Sequence, residues 1–263
     1  MVPRRPLARA LLAAFLLLAA VHLAVLLLGA GAWDRPTQVL LMPALALAVL
    51  AAAERPRSRP VALLAAALFF SWLGDALPAL ASGDTAFLLM VGGFLAAQLV
   101  YVLLFWPYRD RSVLLRRRWL LAPYAGAVAA LVWLCAPHAG GLLVPVLAYG
   151  AVLGLMAVLA TGAGPWTAAG GALFLASDGL IALRAFVPGF APPLDGFWVM
   201  ASYCAAQALI ALGALKRAEA PPAGAAGGAR ARRRGGPPGV SRRARGRGAA
   251  PGGASAGGPR PGR

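Results

Sequence analysis

Residues 60–80 read PVALLAAALFFSWLGDALPAL, and their only ionisable side chain is Asp75. A helix of this length rises about 30 Å, the thickness of a bilayer's hydrocarbon core, so the stretch reads as a membrane span with an acid inside it. Seven further apolar stretches of spanning length lie to either side, near 9–30, 37–53, 86–106, 119–136, 141–161, 167–187 and 196–215. Together they predict an all-α integral membrane bundle of eight transmembrane helices in residues 1–215. The basic start at Arg4, Arg5 and Arg9 has the look of a signal peptide, but its apolar run of about 20 residues is long for one and is taken as the first span.

Composition points the same way. A chain of 263 residues that is 60% hydrophobic and 13% charged has too little polar surface to cover a water-soluble globule. The net charge of +17 suggests nucleic acid until it is mapped, because 12 of the 25 basic residues follow Leu215 and the rest flank apolar runs. Arg55, Arg57 and Arg59 fill the second connection, and Arg109, Arg111, Arg116, Arg117 and Arg118 the fourth. The odd connections carry Asp34, Asp84, His138 and Asp195, with Arg35 and Arg184 as exceptions. This alternation places both termini in the cytoplasm of a multi-pass protein of the cell membrane. Residues 216–263 are Ala, Gly, Pro and Arg in low-complexity order and predict a disordered cytoplasmic tail. Its arginines suit anionic lipid headgroups, at about 1 kcal/mol each, or weak RNA binding, and no specific nucleic acid is expected. Biased composition alone is the plainer account of the tail.

Cys135 and Cys204 lie in apolar stretches, and neither they nor His22 and His138 fall in a CxxC, HExxH or Cys/His cluster, so no metal site is expected. His22, alone on an apolar face, reads as a helix contact. Gly150 and Gly154 form a GxxxG that helix packing explains. No GxSxG elbow, P-loop or dinucleotide fingerprint is present.

Of the eight acidic residues only Asp75 and Asp178 fall well inside spans. An aspartate at mid-helix costs about 2.5–3.5 kcal/mol to insert, so both are candidates for working residues. Ser71 and Asp75, Gln98 with Phe94 and Tyr101, and Tyr203 and Gln207 each share one helix face, and these stripes predict a polar chamber closed on the cytoplasmic side. For Ser71, Gln98, Tyr101, Ser177, Tyr203 and Gln207 the alternative is simple interhelical hydrogen bonding, at about 0.6 kcal/mol each. Arg184, six residues from Asp178, points away from it. Ala67–Asp75 with Gln98, and Ala172–Asp178 with Gln207, also form a faint parallel repeat four spans apart, or the chance likeness of Ala- and Leu-rich helices.

The stretches Phe70-Ser-Trp-Leu-Gly-Asp75 and Phe174-Leu-Ala-Ser-Asp178, the Tyr203/Gln207 pair, and Phe94, Gln98 and Tyr101 between them resemble the YhhN-type lysoplasmalogenases over spans two to eight. The resemblance implies an eight-span hydrolase that cleaves the vinyl ether of lysoplasmalogens to a fatty aldehyde and a glycerophospho-alcohol, with Asp75 and Asp178 at the family's two acidic positions. There are departures. Thr37-Gln-Val-Leu-Leu-Met-Pro43 lacks the Lys-Pro that members often show at its second and third places, and Gln98 stands where many carry His.

Vinyl ether hydrolysis protonates the terminal carbon and leaves an oxocarbenium ion for water to attack, which needs an acid and an anion. Two carboxylates in low dielectric do not easily both ionise, so one keeps its proton while the other stabilises positive charge or activates water, as in glycosidases. Asp178 is assigned as the acid and Asp75 as stabiliser or base, with the reverse open. Ser71, Gln98, Tyr101, Ser177, Tyr203 and Gln207 are then substrate-binding candidates, the partners are a lysophospholipid and the bilayer, and no metal or cofactor is needed. Two rivals use the same features. A proton-coupled transporter would carry protons on the two aspartates and open to both sides, and a noncatalytic scaffold would act through its basic tail.

Overall fold

The computed structural model describes residues 5–219; of the tail expected over 216–263, residues 220–263 lie outside the described residues, and 216–219 are helical. Those residues form eight long helices: α1 (Pro6–Leu28), α2 (Asp34–Ala52), α3 (Arg59–Ala76), α4 (Gly83–Phe105), α5 (Leu121–Cys135), α6 (Leu143–Ala163), α7 (Pro165–Phe186) and α8 (Asp195–Glu219); each is long and apolar enough to cross a membrane, α5 only together with the 3-10 turns that extend it to Arg118–His138. No strand occurs among the described residues. The chain is therefore an all-α membrane bundle, with span ends within a few residues of those predicted. The largest differences are four residues each: α3 stops at Ala76 and passes into a 3-10 turn, and α8 runs one turn beyond residue 215 to Glu219.

Local chemistry sets the boundaries. Pro6, Pro60 and Pro165 stand in the first turns of α1, α3 and α7, where a missing N–H costs nothing. Asp34, Asp84 and Asp195 occupy the first turns of α2, α4 and α8, against the positive ends of those helix dipoles. Gly29 ends α1 in the left-handed conformation, its N–H donating to the Leu26 carbonyl. Exposed tryptophans mark two interfacial belts: Trp33, Trp133 and Trp198 at the end of the odd connections, and Trp106, Trp119 and Trp166 at the other.

Two hairpins hold the centre. In α3 and α4 the backbones touch: a Cβ on Gly93 would lie 2.5 Å from the Gly74 nitrogen, and one on Gly74 would lie 2.7 Å from the Phe94 ring. In α7 and α8 a Cβ on Gly170 would meet the Ala206 carbonyl oxygen at 2.8 Å. Such contacts supply the dispersion that holds helices together where lipid removes any hydrophobic drive. Phe94, Phe174 and Tyr203 then pack edge to face between the hairpins, with centroids 5.7–6.3 Å apart. By contrast α5 is lightly held, with Cys135 its one buried residue.

Candidate functional site

The tight α3–α4 contact fixes Asp75, next to Gly74, at the end of α3 that faces the odd connections. Asp75 is 3% exposed and both of its oxygens are engaged: Gln38 Nε2 donates to Oδ1 at 3.0 Å and the Tyr203 hydroxyl to Oδ2 at 2.9 Å. One turn deeper, Gln207 Nε2 donates to Ser71 Oγ at 2.9 Å, and its Oε1 accepts from the Tyr101 hydroxyl at 2.6 Å. The i,i+4 stripes on α3 and α8 thus meet as two rungs, Asp75 with Tyr203 above and Ser71 with Gln207 below. Ser71, Tyr101 and Gln207 are fully buried.

Asp178, on α7, is 8% exposed, and the Tyr149 hydroxyl of α6 donates to its Oδ2. Its Oδ1 has no hydrogen-bond partner among the described residues. Ser177 Oγ donates to the Val199 carbonyl at 3.0 Å and ties α7 to α8.

Asp75 and Asp178 line one cavity of about 410 Å³ together with Gln38, Ser177 and Tyr203. Its rim is formed by Asp34 and Arg35 at the start of α2, Pro78 after α3, Phe87 on α4, Arg184 at the end of α7 and Gly196 at the start of α8. All of these stand at the same end of the bundle, so the chamber opens toward the odd connections. Arg35 Nη1 donates to the Asp75 main-chain carbonyl at 3.1 Å. Arg184 pairs with Asp195 at 3.2 Å and does not reach Asp178.

The expected site residues therefore divide. Asp75, Asp178, Ser177 and Tyr203 line the chamber, while Ser71, Tyr101 and Gln207 form its floor and have no surface on it. Gln98, expected to bind water or substrate, is fully buried off the chamber, close to the Tyr149 hydroxyl without meeting hydrogen-bond geometry, and its amide is unpartnered. His22 is buried against α2: its Nδ1 donates to Thr37 Oγ1 at 2.7 Å, since the Thr37 proton goes to the Trp33 carbonyl. The structure adds Gln38, Arg35 and Tyr149. Gln38 stands in the stretch already noted for its missing lysine, and a lone mid-span tyrosine was the only signal for Tyr149.

Two small apolar cavities also reach Asp178. One, of about 40 Å³, lies between α4, α6 and α7; the other, of about 50 Å³, lies between α5, α6 and α7. The second corrects the reading of the GxxxG. A Cβ on Gly154 would meet Val128 Cγ2 at 3.1 Å, as close packing requires, but one on Gly150 would meet nothing within 4 Å, because α5 does not close onto α6 there.

Fold and cavity define a polytopic helical membrane protein with two carboxylates in a chamber open at one end. The model of the YhhN family matches residues 33–214, more than half of the chain, and the chain belongs to that family. No curated protein and no solved structure matches it.

Proposed function

We propose that the protein hydrolyses the vinyl ether bond of lysoplasmalogens in the cell membrane, with Asp178 as general acid and Asp75 as stabiliser and base. The observation that carries this reading is the unequal hydrogen bonding of two carboxylates on one cavity wall. Asp75 accepts at both oxygens, the pattern of a carboxylate held as an anion. Asp178 keeps one oxygen unengaged and so has a place for a transferable proton.

In this mechanism Asp178 protonates the alkenyl carbon β to the ether oxygen, and the oxocarbenium ion that results is stabilised by the Asp75 carboxylate. Water adds to the carbon bearing oxygen while Asp75 takes its proton, giving a hemiacetal. The hemiacetal hydroxyl then returns a proton to Asp178 as the leaving glycerol oxygen takes one from Asp75. The aldehyde departs and both groups are restored.

Family membership supports a hydrolase over the transporter. The rim supports a phosphate-bearing substrate. Arg35 makes no salt bridge among the described residues, although its charge acts on Asp75 at longer range, and it offers at the chamber mouth the positive charge that Gln38, in place of lysine, does not. By the alternation of basic connections the mouth faces away from the cytoplasm.

The direct test is aldehyde release from a lysoplasmalogen by the purified protein in detergent. Release of aldehyde supports the reading, and a folded protein that releases none overturns it. In the same assay Arg35→Gln is expected to raise KM about tenfold with kcat little changed, as fits the loss of one charge-assisted contact made equally in ground and transition states. Arg184→Gln is expected to do less, since Arg184 is already neutralised by Asp195. Tyr149→Phe removes the donor to Asp178 and frees that carboxyl to rotate. It is expected to lower kcat about tenfold or more at unchanged KM, and a shift in KM alone would contradict the positioning role.

A further inference from the structure

Resting on that reading, we propose that the apolar slot between α5, α6 and α7 receives the first carbons of the substrate's alkenyl chain, and that Gly150 sets the room available to them. A vinyl ether is the junction between a polar head and an apolar chain, so the group that protonates it must stand where a polar and an apolar volume meet. Asp178 is the one residue that lines both the chamber and this slot. Beyond Asp178 and Tyr149 the slot wall is aliphatic apart from Cys135, with Val128, Leu131, Val146 and Leu153 among its residues.

Three features single out this slot. Glycine is a poor helix former, and at position 150 no neighbour requires it, so its effect is to leave volume beside Asp178. The wall formed by α5 is lightly held, with Cys135 its one buried residue, and is the side by which, on this proposal, the rest of the chain passes into the surrounding lipid. The opposite cavity is stiffened by Phe87 packed edge-on to Phe186, with centroids 5.3 Å apart, and by Phe94 locked against Phe174 and Tyr203. A Cβ on Gly179 would come 3.3 Å from Leu131 Cδ1, which marks the narrow point next to Asp178.

Gly150→Leu fills the slot and leaves both carboxylates chemically unchanged. Because nothing within 4 Å opposes a Cβ there, the variant is expected to fold. Across lysoplasmalogens of short and long alkenyl chain, its kcat/KM for long chains is expected to fall about tenfold or more relative to short ones, within the range that a pocket discriminates by methylenes. Gly92→Leu, whose added side chain meets open space on the exposed face of α4, serves as the control and keeps the wild-type profile. A Gly150→Leu protein with an unchanged chain-length profile overturns the proposal.

A second readout does not depend on turnover. An alkyl lysophospholipid with a diazirine near the head of its chain is expected to label the 128–135 and 146–153 segments, and Gly150→Leu is expected to reduce that labelling. Label confined to α4 or to helix faces outside the slot overturns the proposal. If no lysoplasmalogen is cleaved while the slot is labelled, the chain site stands and the hydrolase reading falls.

Discussion

Asp178→Asn is expected to lower aldehyde release by about 10²–10⁴-fold, the usual worth of a positioned general acid, while its melting temperature stays near wild type. Asparagine keeps the shape of the side chain and presents a carbonyl oxygen to the Tyr149 hydroxyl, so the hydrogen bond survives and the transferable proton does not. Asp75→Asn should fall as far for a different reason. It removes the negative charge facing the oxocarbenium ion, and its amide can accept from only one of Gln38 and Tyr203 through oxygen. Neither change leaves a new charge in the membrane, and a melting temperature near wild type in each variant assigns the loss of activity to chemistry and not to unfolding. Turnover in Asp178→Asn at more than about a tenth of wild type would exclude that residue as the acid.

The second large effect sets two adjacent glycines against each other. Gly93→Val is expected to destabilise the protein by more than about 3 kcal/mol, seen as aggregation in detergent or a melting point about 10 °C lower. The added carbon would sit 2.5 Å from the Gly74 nitrogen, and backbone cannot rotate aside as a side chain can, so α3 and α4 must separate and carry Asp75 with them. Gly92→Val makes the same chemical change one residue earlier, where nothing lies within 4 Å, and should melt like wild type. Equal melting points for the two variants would mean that α3 and α4 do not touch as described.

That pair also marks how far the sequence can be read. The spans were legible because insertion into lipid imposes length and apolarity on each helix separately, and the two aspartates because few charges survive there. Gly92 and Gly93 look alike in the chain, since which one faces a neighbour depends on the rotation of α4 about its own axis. Tyr149 is silent in the sequence for a similar reason. It shares no face with a second polar residue of its own helix, and its partner Asp178 comes from α7. Arg35 and Arg184 stood out only as exceptions to the charge alternation, and the structure sets them on the rim of the chamber. Gln98, Tyr101 and Gln207 shared faces as expected, but periodicity gives a residue's direction and not its depth relative to a cavity floor.

The rung of Ser71, Gln207 and Tyr101 beneath the chamber bears on the cell's energy balance. Moving one elementary charge across a membrane at 100 mV is worth about 2.3 kcal/mol, and a polar chamber holding two ionisable groups would be a route for such movement if it ran through. Here Ser71, Tyr101 and Gln207 beneath the chamber are fully buried and bonded to one another, and they have no surface on it. On the proposed reading, protons used in the chamber are drawn from and returned to a single aqueous phase. Hydrolysis on this plan is electrically silent: it neither drains the proton-motive force nor slows when the membrane is energised.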